Sequence, residues 1–178
     1  MLKYDYFSAI CSLTEKSCET VEYSFKLRSQ TPLKISRIRA EVYKTVYEIE
    51  SALFSDFLPP LDRASLAAYS HTLRELTDTA LVYSRCAPPQ YVSLSSKGFE
   101  SSCSSLCEML KAGSAMLDKI KKSSETPRID EFRRTKSKAL ESICDGSLTP
   151  QVFAARQELL LSISAAFDAL IVLMLENI

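Results

Sequence analysis

Residues that most often perform catalysis are scarce in this sequence. His71 is the single histidine, and no nucleophile-elbow, HExxH, Walker or GxGxxG sequence accompanies it. A histidine needs a positioned partner before it can act as a general acid or base. We therefore interpret His71 as part of a helix surface or helix interface, and we predict no catalytic residue and no enzyme activity.

Carboxylates at helical spacing are the remaining route to chemistry. Glu75 and Asp78 are three residues apart, so one face of a helix can present both. Glu41 and Glu48 on the preceding helix would then face them, as carboxylates do in the metal sites of helical bundles. The simpler interpretation is a set of solvated charges that pair with nearby lysines and arginines. We favour it, because acids at this spacing are common in helical proteins of ordinary charge content.

The cysteines do not complete a metal site either. Cys103 and Cys107 share a helix face, yet no second pair or nearby histidine supplies the other ligands of a zinc ion. All six cysteines lie within apolar helical patterns. We therefore expect buried, reduced thiols and no metal or other cofactor.

The overall charge argues against nucleic acid as a partner. Lys and Arg number 22, Asp and Glu number 22, and the formal net charge is zero. Without a basic excess, the chain lacks the counterion release that drives non-specific binding to DNA or RNA. The opening MLKYDYFSAI has polar residues among its apolar ones, so we expect no targeting segment and a cytoplasmic protein.

Helix start signals recur along the chain. Three Thr-Pro pairs each combine a good N-cap with a proline suited to the first helical position, and only three glycines are present to support tight hairpins. Apolar residues recur between these signals at helical steps. Helices are predicted over residues 4–28, 32–56, 62–86, 90–122, 127–144 and 150–176. This pattern predicts an all-α fold, an antiparallel up-and-down six-helix bundle.

The six helices are expected to form one domain, residues 1–178. Each half, 1–88 and 89–178, consists of a long helix, a helix opened by Thr-Pro and a third helix, which we interpret as a weak internal repeat. The last helix carries LLLSISAAFDALIVLML, which contains Asp168 and is short for a membrane span of roughly 20 apolar residues. We interpret it as a core helix that also offers a surface to a partner or, in a homodimer, to a second copy.

Two stretches of the chain resemble a known family. The segment FSDFLPPLDRASLAAYSHTLRELTDTALVY is similar to a region of PhoU-like proteins, in the branch encoded beside Pit-type inorganic phosphate transporters. The opening KYDYFSAICSLTEKSCETVEYSF is similar to the first helix of that family. Asp62, in the turn FLPPLDR, can accept amide hydrogen bonds at the start of the third helix, so we interpret it as a helix cap. The resemblance implies a PhoU-like bundle and a role beside a membrane phosphate transporter.

The resemblance also implies two acid-x-x-x-acid motifs that gather metal ions, one on the second helix and one on the third. Aligned through the turn, the first motif falls on Arg39 and Tyr43, and the second on Arg74 and Asp78. Only Asp78 is an acid, and arginines repel a cation where hard oxygen ligands are needed. We therefore predict that this chain does not assemble the metal cluster of the family.

The two arginines leave two interpretations open. As guanidiniums on facing helices, Arg39 and Arg74 could hold an anion such as phosphate by bidentate hydrogen bonds. Alternatively, they pair with Glu41 and Glu75 as ordinary surface ion pairs. We favour the ion pairs, because they need no special preorganisation.

These observations favour a non-enzymatic accessory or regulatory protein of inorganic phosphate transport. We expect it in the cytoplasm, peripheral to the inner face of the membrane, where it would contact the phosphate transporter. The alternatives are a generic helical interaction module without a phosphate link and a metal-dependent enzyme on a bundle scaffold.

Overall fold

Helices dominate the structure, a computed structural model that describes residues 4–26, 31–86, 94–119, 129–143 and 148–176. Within those ranges the chain forms six α-helices and no β-strand, which confirms the all-α prediction. The helices are α1 (Tyr6–Ser24), α2 (Thr31–Ser55), α3 (Arg63–Cys86), α4 (Leu94–Ala115), α5 (Ile129–Ile143) and α6 (Pro150–Leu175), and a short 3₁₀ helix (Leu117–Lys119) follows α4.

Side chains cap the starts of the first and last helices. The Asp5 carboxylate accepts a hydrogen bond from the Ser8 amide at 3.1 Å, before α1. The Thr149 hydroxyl accepts from the Val152 amide before α6, and proline follows at the first helical position. Both contacts satisfy amides that a helix start leaves without a partner.

The Thr-Pro pair of α2 differs from the prediction. Thr31 is the first residue of α2 and not its N-cap, and its hydroxyl donates to the Lys26 carbonyl at 2.5 Å. A hydroxyl can donate as well as accept, so the Thr31 side chain satisfies a carbonyl just after α1 instead of an amide at the start of α2. The pair at 126–127 lies outside the described residues, as do Gly146 and the prolines at 88–89.

Helix α4 ends before the predicted boundary. Residues 90–93 and 120–122 of the predicted range lie outside the described part of the chain, and the α-helix itself ends at Ala115. The Met116 amide bonds the Gly113 carbonyl three residues back, at 3.1 Å. A glycine weakens a helix by about 1 kcal/mol relative to alanine, and three-residue hydrogen bonds commonly tighten helix ends.

The helices pack in two sets of three. Helices α1, α2 and α3 contact one another, α4, α5 and α6 contact one another, and the two sets meet along α3 and α6 and along α1 and α4. Helices α1 and α2 run in opposite directions, because Tyr6 contacts Asp56 while Lys16 contacts Glu41.

Helix α6 packs chiefly on α3. The two run in opposite directions, since Ser65 contacts Glu176 and Thr79 contacts Ser162. Helix α6 is long and apolar enough to cross a membrane, and half of its most apolar 18-residue stretch is buried inside the protein. Core helices of soluble proteins have the same properties, so the location of this chain stays a prediction.

The apolar stripe of α3 lies in the core. Its members are all buried: Leu66, Tyr69, Leu73, Leu76 and Ala80. The Tyr69 hydroxyl lies 2.9 Å from Thr14 Oγ1, so its polar end has a hydrogen-bond partner inside the core. Burial raises the pKa of Tyr69, which keeps the phenol neutral.

The burial of α3 predicts the effect of truncating Leu76, which has no exposed surface. Leu76→Ala is expected to lower the free energy of unfolding by about 2–5 kcal/mol, because it leaves a cavity in the core. Leu33→Ala, at a 59% exposed position of α2, is the matched control and should cost less than about 0.5 kcal/mol. Denaturant titration followed by circular dichroism measures both, and equal losses would contradict the packing described here.

Candidate functional site

Four positions singled out by the resemblance lie together where α2 faces α3. Arg39 and Tyr43 are one helical turn apart on α2, and Arg74 and Asp78 are one turn apart on α3. The two helices run in opposite directions, so Arg39 is level with Asp78. We call this group the α2–α3 cluster.

Hydrogen bonds close a ring among three members of the cluster. The Arg39 Nε donates to Asp78 Oδ1 at 2.5 Å, and Arg39 Nη2 donates to the Tyr43 hydroxyl at 2.9 Å. The Tyr43 hydroxyl donates in turn to Asp78 Oδ2 at 2.6 Å. Both oxygens of the only carboxylate in the cluster are therefore engaged by the protein itself.

The Tyr43 ring holds the two arginines of the cluster. The guanidinium carbon of Arg39 lies 4.6 Å from the ring centroid, and that of Arg74 lies 5.6 Å from it. These separations fit cation–π contacts, in which the negative face of the ring attracts a guanidinium. Asp78 and the ring together offset the repulsion between two cations at one place.

The predicted ion pairs of these arginines with Glu41 and Glu75 are wrong. Arg39 pairs with Asp78, while Glu41 pairs with Lys16 of α1 at 2.8 Å. Two residues along a helix correspond to a rotation of about 200°, so Glu41 points away from Arg39. Glu75 is exposed and makes no ion pair with any described residue.

The electrostatics of the cluster favour a neutral Tyr43 and a charged Arg39. The hydrogen bond to Asp78 raises the pKa of Tyr43, so the phenol remains the donor near neutral pH. The same carboxylate raises the pKa of Arg39. Because the Arg39 and Asp78 side chains are 41% and 37% exposed, solvent screens this ion pair and limits its energy.

The cluster is poorly suited to hold a metal ion. Its single carboxylate already binds Arg39 and Tyr43, and the guanidinium supplies the positive charge beside it. Within the described ranges, no group of three or more His, Cys, Asp or Glu residues could hold a metal. The anion interpretation also weakens, because Arg39 already donates to Asp78 and Tyr43. Of the two arginines in the cluster, Arg74 is the one that makes no ion pair with a described residue.

Three of the five described thiols are buried as the sequence predicts, whereas Cys11 and Cys86 are half-buried. Cys18, Cys103 and Cys107 are fully buried, and Cys18 Sγ donates to the Cys107 carbonyl at 3.6 Å. A hydrogen bond to Cys107 and burial raise the pKa of the Cys18 thiol, and burial raises that of Cys103. Neutral, buried thiols are poor nucleophiles and poor metal ligands. Cys144 lies outside the described residues.

Asp62 stands directly before α3 and performs the capping role predicted for it. Its Oδ2 accepts from the Ser65 amide and the Ser65 hydroxyl, each at 2.9 Å. The hydrogen bond from the Ser65 amide lowers the pKa of Asp62. His71 lies in a helix interface, because its Nε2 is 2.9 Å from Glu50 Oε1 of α2.

Sequence reasoning missed the role of Arg63. Its guanidinium donates to the carbonyls of Leu53 at 2.6 Å, of Phe57 at 3.0 Å, and of Asp56. One side chain therefore satisfies three carbonyls at the end of α2 and in the turn to α3, and it fixes that turn. The signal was the pair Asp62-Arg63 after two prolines, of which only the aspartate was interpreted.

Comparison with protein families and with curated proteins returns no match. No family model matches this chain, and no curated protein matches it significantly. Membership of the PhoU-like family therefore remains a prediction from the residues.

The cluster predicts a measurable coupling between Arg39 and Asp78. A double-mutant cycle with Arg39→Gln and Asp78→Asn is expected to give about 0.5–1 kcal/mol, because half-exposed ion pairs are worth little more. The same cycle on Lys44 and Glu48, an exposed pair 3.7 Å apart, is the control and should give less. Added salt should weaken the Arg39–Asp78 term, and a coupling no larger than that of the control would contradict the geometry.

Proposed function

We propose that this chain is a non-enzymatic accessory protein of inorganic phosphate transport that acts by contact with the cytoplasmic face of a membrane transporter. The observation that carries the proposal is the meeting of Arg39, Tyr43, Arg74 and Asp78. The resemblance aligns these positions with the two metal-binding motifs, which must lie side by side in a PhoU-like bundle. Their meeting agrees with that alignment.

The packing of the helices also supports a PhoU-like arrangement. Antiparallel contacts join α1 to α2 and α3 to α6, and Arg39–Asp78 and Glu50–His71 join α2 to α3 in the same manner. Each half of the chain supplies three helices that contact one another. We infer an antiparallel up-and-down bundle of two related halves.

The chemistry of the cluster supports a role without catalysis. A guanidinium lies beside Asp78 where the resemblance expects a metal ion, and it is covalently part of the chain. It cannot exchange, change its oxidation state or activate a water molecule as a metal does. The function that remains for such a bundle is contact with other molecules.

The role in transport is tested by phosphate uptake. In cells that lack the gene for this chain, the initial rate of radiolabelled phosphate uptake is expected to change by about fivefold or more, the lower end of typical coupling between sites. Transporter abundance is measured by immunoblot, and the wild-type gene on a plasmid should restore the rate. Uptake that is unchanged at equal transporter abundance would contradict the proposal.

The prediction that the α2–α3 cluster binds no metal is tested by introducing acids at its other three positions. Wild-type protein incubated with zinc or manganese and then desalted is expected to retain far less than one equivalent by elemental analysis. The triple variant Arg39→Glu, Tyr43→Glu, Arg74→Glu groups four carboxylates with Asp78 included, and it should retain metal, because such oxygen ligands suit these cations. Stoichiometric metal on the wild type, or none on the folded variant, would contradict this account.

A further inference from the structure

Large apolar side chains project from the last turn of α2 and from the connection that leads to α3. Phe54 and Phe57 are each 90% exposed, and Leu58 is 76% exposed. Burial of such side chains is favourable, and neighbouring exposed apolar residues commonly mark interaction sites. We call these three residues the turn patch.

The turn patch is held by contacts on its inner side. Arg63 bonds the carbonyls of Leu53, Asp56 and Phe57. The Tyr6 hydroxyl donates to Asp56 Oδ2 at 2.8 Å, which fixes the turn to α1. A surface that is already ordered loses little conformational entropy when a partner binds, so the turn patch is prepared for docking.

The charged groups around the turn patch are mostly acidic. Asp56 and Asp62 belong to the turn itself, and Glu176 contacts the hydroxyl of Ser65, which also bonds Asp62. Burial, Glu48 and Asp5 raise the pKa of Tyr4, whose ring packs on Tyr6, the partner of Asp56. The basic residues described here are Arg63, whose guanidinium is directed at backbone carbonyls, and Lys44, which lies 3.7 Å from Glu48.

This acidic rim selects among partners. It repels an anionic lipid surface, which attracts basic segments instead. It also opposes an isologous contact with a second copy of the chain, because the same acids would then face each other. Cytoplasmic loops of membrane proteins, in contrast, carry an excess of lysine and arginine, so their charge is complementary to the rim.

We propose that the turn patch and its acidic rim form the docking surface for a basic cytoplasmic loop of the transporter, with the three apolar side chains inserted between its apolar residues. This inference rests on the proposed function, which it deepens by naming the contact surface and the chemistry of its partner. The apolar side chains supply affinity, and the acids supply orientation and a faster association rate.

Binding to the transporter in lipid nanodiscs tests the inference. The probe is the inorganic phosphate transporter of the same cell in phosphatidylcholine discs, and biolayer interferometry measures Kd. Phe54→Ser/Phe57→Ser should raise Kd by about tenfold or more, as loss of a buried aromatic anchor does. Leu161→Ser/Val172→Ser removes two apolar side chains that are 52% and 48% exposed on α6, and it should change Kd by less than about twofold. Circular dichroism melts verify that both variants are folded.

The possible outcomes distinguish an error in the docking surface from an error in the proposed function. If the wild type binds the transporter and the turn variant binds equally well, the docking surface is wrong and the proposed function stands. Failure of the wild type to bind transporter discs overturns both. Equal binding to empty discs that contain phosphatidylglycerol would identify lipid as the partner and overturn the inference as well.

Discussion

The packing of α3 is the constraint on which the rest of the structure depends. Helix α3 contacts α1 and α2 of its own half and α6 of the other half, so one buried stripe joins both halves. The same helix presents Arg74 and Asp78 to α2, and it begins at the turn that Asp62 and Arg63 hold in place. Core, cluster and turn therefore share one element, and a shift of α3 would change all three together.

The α2–α3 cluster is the reason that we propose contact with a partner, and not catalysis, as the function. A metal ion bound by carboxylates can be lost, exchanged or oxidised, whereas the guanidinium of Arg39 is fixed by covalent bonds and remains charged at every physiological pH. Tyr43 reinforces this arrangement, since it bonds both partners of the ion pair and packs against both arginines. The cluster joins two helices, and the docking surface that we propose lies at the turn between them.

Local rules in the sequence predict the helices and most of their ends. Helical spacing identifies the buried stripe of α3, and Asp62 follows from its place before that helix. The partners of Arg39 do not follow, because Asp78 is 39 residues away and only the crossing of α2 and α3 brings it near. Glu41 is close in sequence but points elsewhere on the helix. Arg63 was missed for a related reason, since its partners are backbone carbonyls, which every residue has, and only its place beside Asp62 after two prolines pointed to a role.

Hydrogen–deuterium exchange of the chain bound to transporter discs tests the central claim most directly, because it maps contact without any substitution. Amides around the turn, residues 53–63, are expected to exchange more slowly in the complex than in the free protein, while the exposed face of α6 remains unchanged. Slowed exchange in α5 and α6 with an unchanged turn would contradict the account.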